Sequence, residues 1–281
     1  MARWNTVAIV GVGLIGGSIG LALQKRKLAE RVIGIGRRQV SLRAARRVGA
    51  VTNTTIELEK GVSEADLVIV CTPVNMIVEH VRQAAAACRP GTLITDAGST
   101  KRSIVAALDG PLANECRFLG SHPLAGSEKR GPTHADADLF EGKICIVTPT
   151  ANTRAEDYDT LSELWSSLGS VVMKMTPEDH DRAVALTSHL PHFAATTLAA
   201  AMPEEVLRIS GTGLADTTRL AAGDPGLWVQ IFSDNRQFVL EAVARWKQAI
   251  AALEQAIAAG DKQTMECILE QGKKIRDALG S

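Results

Sequence analysis

The sequence predicts an α/β fold in two parts: a doubly wound parallel sheet, followed by an all-helical domain. Three observations lead there. Strand-length apolar runs alternate with helix-length segments through the first part of the chain. A glycine-rich turn, Gly11-Val-Gly13-Leu14-Ile15-Gly16, follows the first of those runs and opens a helical stretch. Beyond Met175 the strand pattern stops, and wide apolar stripes at helical spacing replace it.

The elements read in order as follows. Residues 6–10 form a β-rich run, and residues 14–25 a helix ending in the basic cluster Lys25-Arg26-Lys27. A strand at 31–35, a helix at 41–48 and a short strand at 51–52 come next. Residues 66–72 (DLVIVCT) are almost continuously apolar, as expected of a strand covered on both faces. A helix at 76–88 leads to a strand at 92–97, and further strands are expected at 117–119, 143–147 and 171–175, with a helix at 155–168. In the second part, Thr176 and Pro177 make a cap and first turn for a helix over 177–201. A helix from 204, a long one over 226–259 and a last one over 262–279 complete the chain, with Gly260-Asp261 between the final two. The expected domains are 1–174 and 175–281.

Composition removes several functions. The 281 residues carry 31 Lys plus Arg against 31 Asp plus Glu, so no net field draws the protein to nucleic acid or an anionic membrane. Aromatic residues make up only 4%, too few for a base-stacking platform. The uncharged stretch 6–23 has a length bordering on a membrane span, but its glycines at 11, 13, 16, 17 and 20 fit a turn and a closely packed helix better. Five scattered cysteines, none in a C-x-x-C pair, read as reduced thiols of a cytoplasmic protein.

The strand–G-x-G-x-x-G–helix context makes the turn a dinucleotide site on a Rossmann-type domain. Gly11 allows the tight turn, Gly13 a close approach of backbone to pyrophosphate, and Gly16 the packing of helix on sheet. The end of the second strand reads Ile35-Gly36-Arg37-Arg38, without the acid that bonds the ribose hydroxyls of NAD. Two guanidiniums there suit a 2′-phosphate, so NADP is expected over NAD.

Four polar segments can carry chemistry. Asp96-Ala-Gly-Ser99-Thr-Lys101 lies just past a strand's carboxyl end, where ligands bind in such sheets; Ser99 either caps the next helix or bonds a substrate hydroxyl. Gly120-Ser-His122-Pro123-Leu-Ala-Gly-Ser-Glu128 puts an imidazole past the next strand at the same edge. Ser188-His189-Leu-Pro191-His192 holds two histidines three apart, without the third ligand cluster that a metal site needs. In the fourth, Asp216-Thr-Thr-Arg219 is followed by Asp224-Pro-Gly-Leu-Trp228 and later by Asn235-Arg236; Arg219 either pairs with Asp216 or grips a carboxylate.

In this order and spacing, G-x-G-L-I-G-G-S, D-x-G-S-x-K, H-P-x-A-G-S-E, S-H-L-P-H, D-T-T-R and D-P-x-x-W resemble the prephenate/arogenate dehydrogenase family of tyrosine biosynthesis, from Val7 to about Arg236. Nothing resembles the chorismate mutase or regulatory domains that some members carry. The resemblance implies oxidative decarboxylation of prephenate with hydride transfer to NADP, and arogenate as the alternative substrate. It places the catalytic base on His122 and an orienting hydroxyl on Ser99. Arg219 falls on the position that holds a substrate carboxylate, and His192 and Trp228 on pocket positions. His189 is the more structural histidine of its pair. Cofactor contacts fall on Gly11, Gly13, Leu14, Ile15, Gly16, Arg37, Arg38, Thr72, Pro73 and Ser99, with no metal. It also implies a homodimer through the C-terminal helices. Two positions depart from the pattern: Ala215 stands where some members have Lys, and Gly223 where some have Ser. Glu128, Glu141 and Asp216 are candidate partners for an arogenate ammonium. A β-hydroxyacid-type dehydrogenase and a non-catalytic NADP sensor are the remote alternatives. Neither explains His122, Ser99 and Arg219 together.

Overall fold

The computed structural model describes residues 3–126 and 129–280. Eight strands form one sheet: β1 (Trp4–Val10), β2 (Ala29–Ile35), β3 (Asn53–Thr55), β4 (Leu67–Val70), β5 (Leu93–Asp96), β6 (Arg117–Pro123), β7 (Ile144–Thr148) and β8 (Val171–Lys174), in the order β3-β2-β1-β4-β5-β6-β7-β8. The helices that cross between strands are α1 (Leu14–Lys25), α2 (Gln39–Arg47), α3 (Leu58–Val62), α4 (Val74–Ala87), α5 (Arg102–Leu108) and α6 (Ala155–Ser167). The order reverses at β1, the switch point where a doubly wound sheet opens a crevice.

The sheet is not parallel throughout. β1 to β6 are parallel, whereas β7 runs antiparallel to β6, with His122 opposite Ile146; β8 is parallel to β7. The cause is the connection from Pro123 to Ile144. Its described part contains one short 3₁₀ turn (Pro132–His134) and no crossover helix, so the chain returns beside the strand it left. The α6 crossover then restores parallel pairing. Central strands are buried on both faces, and two cores result. Ile9, Ile19, Leu23, Leu161 and Trp165 lie in one, and Val68, Val70, Ile77, Val81 and Ile94 in the other.

The second part comprises α7 (Pro177–Val184), α8 (Leu190–Ala200), α9 (Thr212–Thr218), α10 (Pro225–Asp234), α11 (Arg236–Ala259) and α12 (Lys262–Ala278). Thr176 caps α7, its Oγ1 accepting from the Asp179 amide at 3.0 Å. Two helices expected as single rods are broken. The run over 177–201 is interrupted by a π turn at Ala185–His189, just before Pro191, whose ring nitrogen has no proton to continue the ladder. The expected helix over 226–259 divides at Asn235, with φ −96° and ψ 29°. Asn235 leaves the helical path with its side chain buried and bonded to two other segments. None of the described helices is long and apolar enough to cross a membrane, and the borderline stretch near the start is β1, a turn and α1.

Candidate active site

The glycine turn joins β1 to α1 as its spacing requires. Gly11 has φ +95°, and a Cβ there would meet the Cys71 carbonyl oxygen at 2.7 Å. A Cβ on Gly16 would strike the Gly11 carbonyl, so α1 packs against the turn only with glycine. A Cβ on Gly13, by contrast, would meet nothing within 4 Å, which leaves the backbone open to a ligand. Beside the turn runs a groove of about 590 Å³. Gly11 and Gly13 line it, with Arg37 and Arg38 from the end of β2 and Thr72 and Pro73 from the end of β4. Met76, His80 and Gln83, one face of α4, close its side, and Thr72 Oγ1 lies 3.0 Å from His80 Nδ1. Arg37 and Arg38 are exposed and form no ion pair among the described residues. The carboxylates Glu57 and Glu59 also line the groove. Leu14 and Ile15 open α1, where first-turn amides are free of helical partners; neither these two nor Ser99 lines the groove itself.

Along the sheet edge, β5 and β6 end in a buried polar cluster. Asp96, Lys101 and Ser121 are wholly inaccessible. The Asp96 carboxylate pairs with Lys101 Nζ and accepts from the Gly98 amide at 2.8 Å and the Ser121 amide at 3.2 Å. Ser121 Oγ donates to the Asp96 carbonyl at 2.6 Å and accepts from Trp165 Nε1 at 3.0 Å. These bonds fix the strand ends that carry Ser99 and His122. Ser99 is half-buried and makes no hydrogen bond among the described residues; α5 begins without a side-chain cap, so capping is not its role.

His122 is half-buried at the end of β6, and its Nδ1 lies 2.8 Å from Nε2 of His180 on α7. His180 Nδ1 lies 2.7 Å from Asp181 Oδ1. Asp181 in turn accepts backbone amides from the start of α5, Lys101 N at 2.7 Å on Oδ1 and Arg102 N at 3.0 Å on Oδ2. Burial, then the closeness of His180, Lys101 and His189, which would repel a positively charged ring, hold His122 well below the ordinary histidine range. Burial also lowers His180, against the opposing pull of Asp181.

From Asp181 the network continues into the helical half. Asn235 Nδ2 donates to the Asp181 carbonyl at 2.8 Å and lies 3.2 Å from His189 Nδ1. His189 is buried, and burial pushes it down to about 4. Its ring meets Trp228 edge-on with centroids 6.0 Å apart, and His192 stacks on Trp228 at 3.6 Å and 6°. Burial lowers His192 from the ordinary histidine range, and the Leu220 backbone, next to Arg219, opposes that. A Cβ on Gly223 would lie 2.6 Å from Trp228 Nε1 and 3.0 Å from His192 Cε1, so the stack occupies space that a serine would need.

Residues 19–174 match the model for the nucleotide-binding domain of prephenate dehydrogenase, and residues 176–271 match its dimerization domain. The chain belongs to the prephenate dehydrogenase family. It is 33% identical to the prephenate dehydrogenase of Lactococcus lactis over 97% of this chain and 77% of that protein. It is 32% identical to the cyclohexadienyl dehydrogenase of Zymomonas mobilis over 99% and 97%. Its fold matches a crystal structure of prephenate dehydrogenase from Aquifex aeolicus in complex with hydroxyphenyl propionate and NAD+. The TM-score is 0.90 and the identity 30%, over 98% of both chains.

Within this family member, the structure links His122, His189, His192 and Trp228 through one continuous set of contacts. Arg219 is separate: it ends α9 exposed and forms no ion pair among the described residues, Asp216 included. Glu141 is paired with Arg26 at 2.7 Å. Glu128 lies outside the described residues. Sequence reasoning missed His180 and Asp181, and it marked Asn235 only as a polar residue of the fourth segment, without the contacts it makes. His180 and Asp181 follow a helix cap and read as first-turn polar residues, and Asn235 sits in the middle of an apolar stripe. For the groove, the spacing of Met76, His80 and Gln83 after Thr72-Pro73 was an available signal.

Replacing Lys101 by Met keeps the buried stem but leaves Asp96 as an uncompensated buried charge. Urea unfolding is expected to show a loss of about 3–5 kcal/mol, the usual cost of removing one partner of such a pair.

Proposed function

We propose that this protein oxidatively decarboxylates prephenate to 4-hydroxyphenylpyruvate, transferring hydride to NADP. The observation that carries the reading is the state and place of His122. It is an imidazole kept neutral by burial, at the sheet edge that also bears the dinucleotide turn. A neutral imidazole accepts the hydrogen bond of the C4 hydroxyl and takes its proton as the C4 hydride departs. Bound NADP supplies the hydride acceptor. Ser99, whose hydroxyl has no partner among the described residues, bonds the same C4 oxygen and fixes its orientation. Breaking the C1–carboxylate bond as CO2 then aromatises the ring. Arg219, exposed and without an ion pair among the described residues, grips a substrate carboxylate as a charged fork, and the His192–Trp228 stack forms a flat wall of the pocket. The Lactococcus relative, a prephenate dehydrogenase, supports prephenate as substrate, and the Zymomonas relative, a cyclohexadienyl dehydrogenase, supports the dual-specificity alternative.

The choice of NADP rests on Arg37 and Arg38, two guanidiniums at the end of β2 with no ion pair among the described residues. The Aquifex enzyme holds NAD+ in its crystal, so the preference belongs to this chain's own β2 end. In this reading residues 1–174 bind the dinucleotide, and residues 175–281 bind substrate and pair as a homodimer. Ile209, Val229, Ile257 and Leu269 are each at least 61% exposed on the helical part, an apolar surface suited to a second copy. The protein is taken as cytoplasmic, in keeping with cysteines that are unpaired thiols.

The test is absorbance of reduced nicotinamide with prephenate and NADP, with arogenate and NAD as paired controls. Turnover with arogenate alone would move the substrate; turnover with neither would remove the reading. In the His122→Asn protein, kcat is expected to fall at least ~100-fold, the low end of what a general base supplies, while nucleotide binding persists by fluorescence titration. Because the base must be unprotonated and its pKa is depressed, the acid limb of kcat/KM should lie below pH ~6.5, the unperturbed histidine value. Activity should persist above that limb and vanish as pH falls through it. Changing Arg37 and Arg38 together to Ala should weaken NADP by at least about tenfold more than NAD in calorimetric titration, the scale of one lost charge-assisted bond. Equal weakening would show that they do not read a 2′-phosphate.

A further inference from the structure

We propose that His180 and Asp181 form a positioning dyad that fixes which nitrogen of His122 is the base: they hold the His122 proton on Nδ1 and leave Nε2 as the acceptor. The inference rests on the reading of His122 as the base and adds two residues on α7 to it.

Hydrogen-bond bookkeeping assigns the protons. Both oxygens of Asp181 accept backbone amides, Lys101 N on Oδ1 and Arg102 N on Oδ2. A carboxyl bonded this way is an acceptor, so the 2.7 Å contact from His180 Nδ1 to Oδ1 requires the proton on His180 Nδ1. A neutral His180 then has only a lone pair on Nε2. The 2.8 Å contact between that nitrogen and His122 Nδ1 therefore requires His122 to donate. His122 Nε2 is left as the one basic ring nitrogen. His180 has no accessible surface and Asp181 is 1% exposed, so water does not compete for these bonds.

The arrangement has the logic of a buried carboxylate orienting a catalytic histidine, with one more imidazole between them. In the reaction the C4 hydroxyl O–H bond breaks and its proton joins His122 Nε2. Both protons of the resulting imidazolium are then on nitrogen, and its Nδ1–H still donates to His180 Nε2. The new positive charge sits two hydrogen bonds from the Asp181 carboxylate, in a buried setting where that field is weakly screened. No proton needs to leave His180 for the step to balance. Asp181 also joins the first turn of α5 to α7, so the device that sets the tautomer is also one of the contacts between the helical half and the first part of the chain.

The experiment uses the full chain labelled with ¹⁵N-histidine. Six histidines are present, and the His122→Asn and His180→Leu proteins assign two of them. Long-range ¹H–¹⁵N spectra near neutral pH should show His122 with a protonated Nδ1 and a pyridine-type Nε2. The opposite tautomer overturns the proposal, whether or not prephenate proves to be the substrate. In kinetics, His180→Leu removes the acceptor and should lower kcat about 10–100-fold, below the loss seen when a triad orienter is removed, with KM within about threefold. His180→Gln offers an amide oxygen to the same Nδ1–H and should recover most of the loss. Equal activity of the Leu and Gln proteins, at any level, overturns the proposal. Asp181 variants are not used, because they would also strip the start of α5. A wild-type protein inactive on every substrate would sink the functional reading and leave the tautomer measurement standing.

Discussion

The carboxylate of Asp181 is the contact on which the site depends. It reaches from α7 to the first amides of α5, and through His180 it reaches the ring at the end of β6. Its carbonyl accepts from Asn235, the residue at which the expected long helix divides. One buried acidic residue thus joins the sheet edge, the first helix of the second half and the break between α10 and α11. Burying a carboxylate costs several kcal/mol unless its lone pairs are filled, and here two backbone amides and an imidazole fill them.

The second buried carboxylate, Asp96, does for the sheet edge what Asp181 does across the halves. It gathers Lys101, the Gly98 amide and the Ser121 amide, so the segment carrying Ser99 and the strand carrying His122 are tied to one group. Two effects then act on His122 in the same direction. Burial disfavours its charged form, and the Lys101 ammonium nearby adds to that. In the proposed reaction, an imidazole held neutral in this way is suited to taking a proton from a hydroxyl.

On the helical side the contact between His192 and Trp228 is made by packing more than by bonds. The His192–Trp228 stack lies against Gly223, where a Cβ would come within 2.6 Å of the indole nitrogen. The glycine at this position and the parallel stack are therefore one feature. A larger residue would have to move Trp228, His192, or both, and with them the contact that His189 makes on the indole edge.

The sequence by itself determined the dinucleotide turn, because a strand, three glycines and a helix are contiguous and their roles are local. It also determined the α/β character of the first part, the shift to helices after Met175, and the motifs that mark the family. Tertiary structure decided the rest. The reversal of β7 followed from a long connection without a crossover helix, a property of chain path that no local pattern records. The break at Asn235 interrupts an apolar periodicity that reads as continuous, because what favours it is a pair of hydrogen bonds to distant segments. His180, Asp181 and Asn235 look like ordinary polar helix residues until α7, α5 and β6 are brought together; a hydrogen bond between residues 58 apart in sequence, as between His122 and His180, has no signature in the spacing of either.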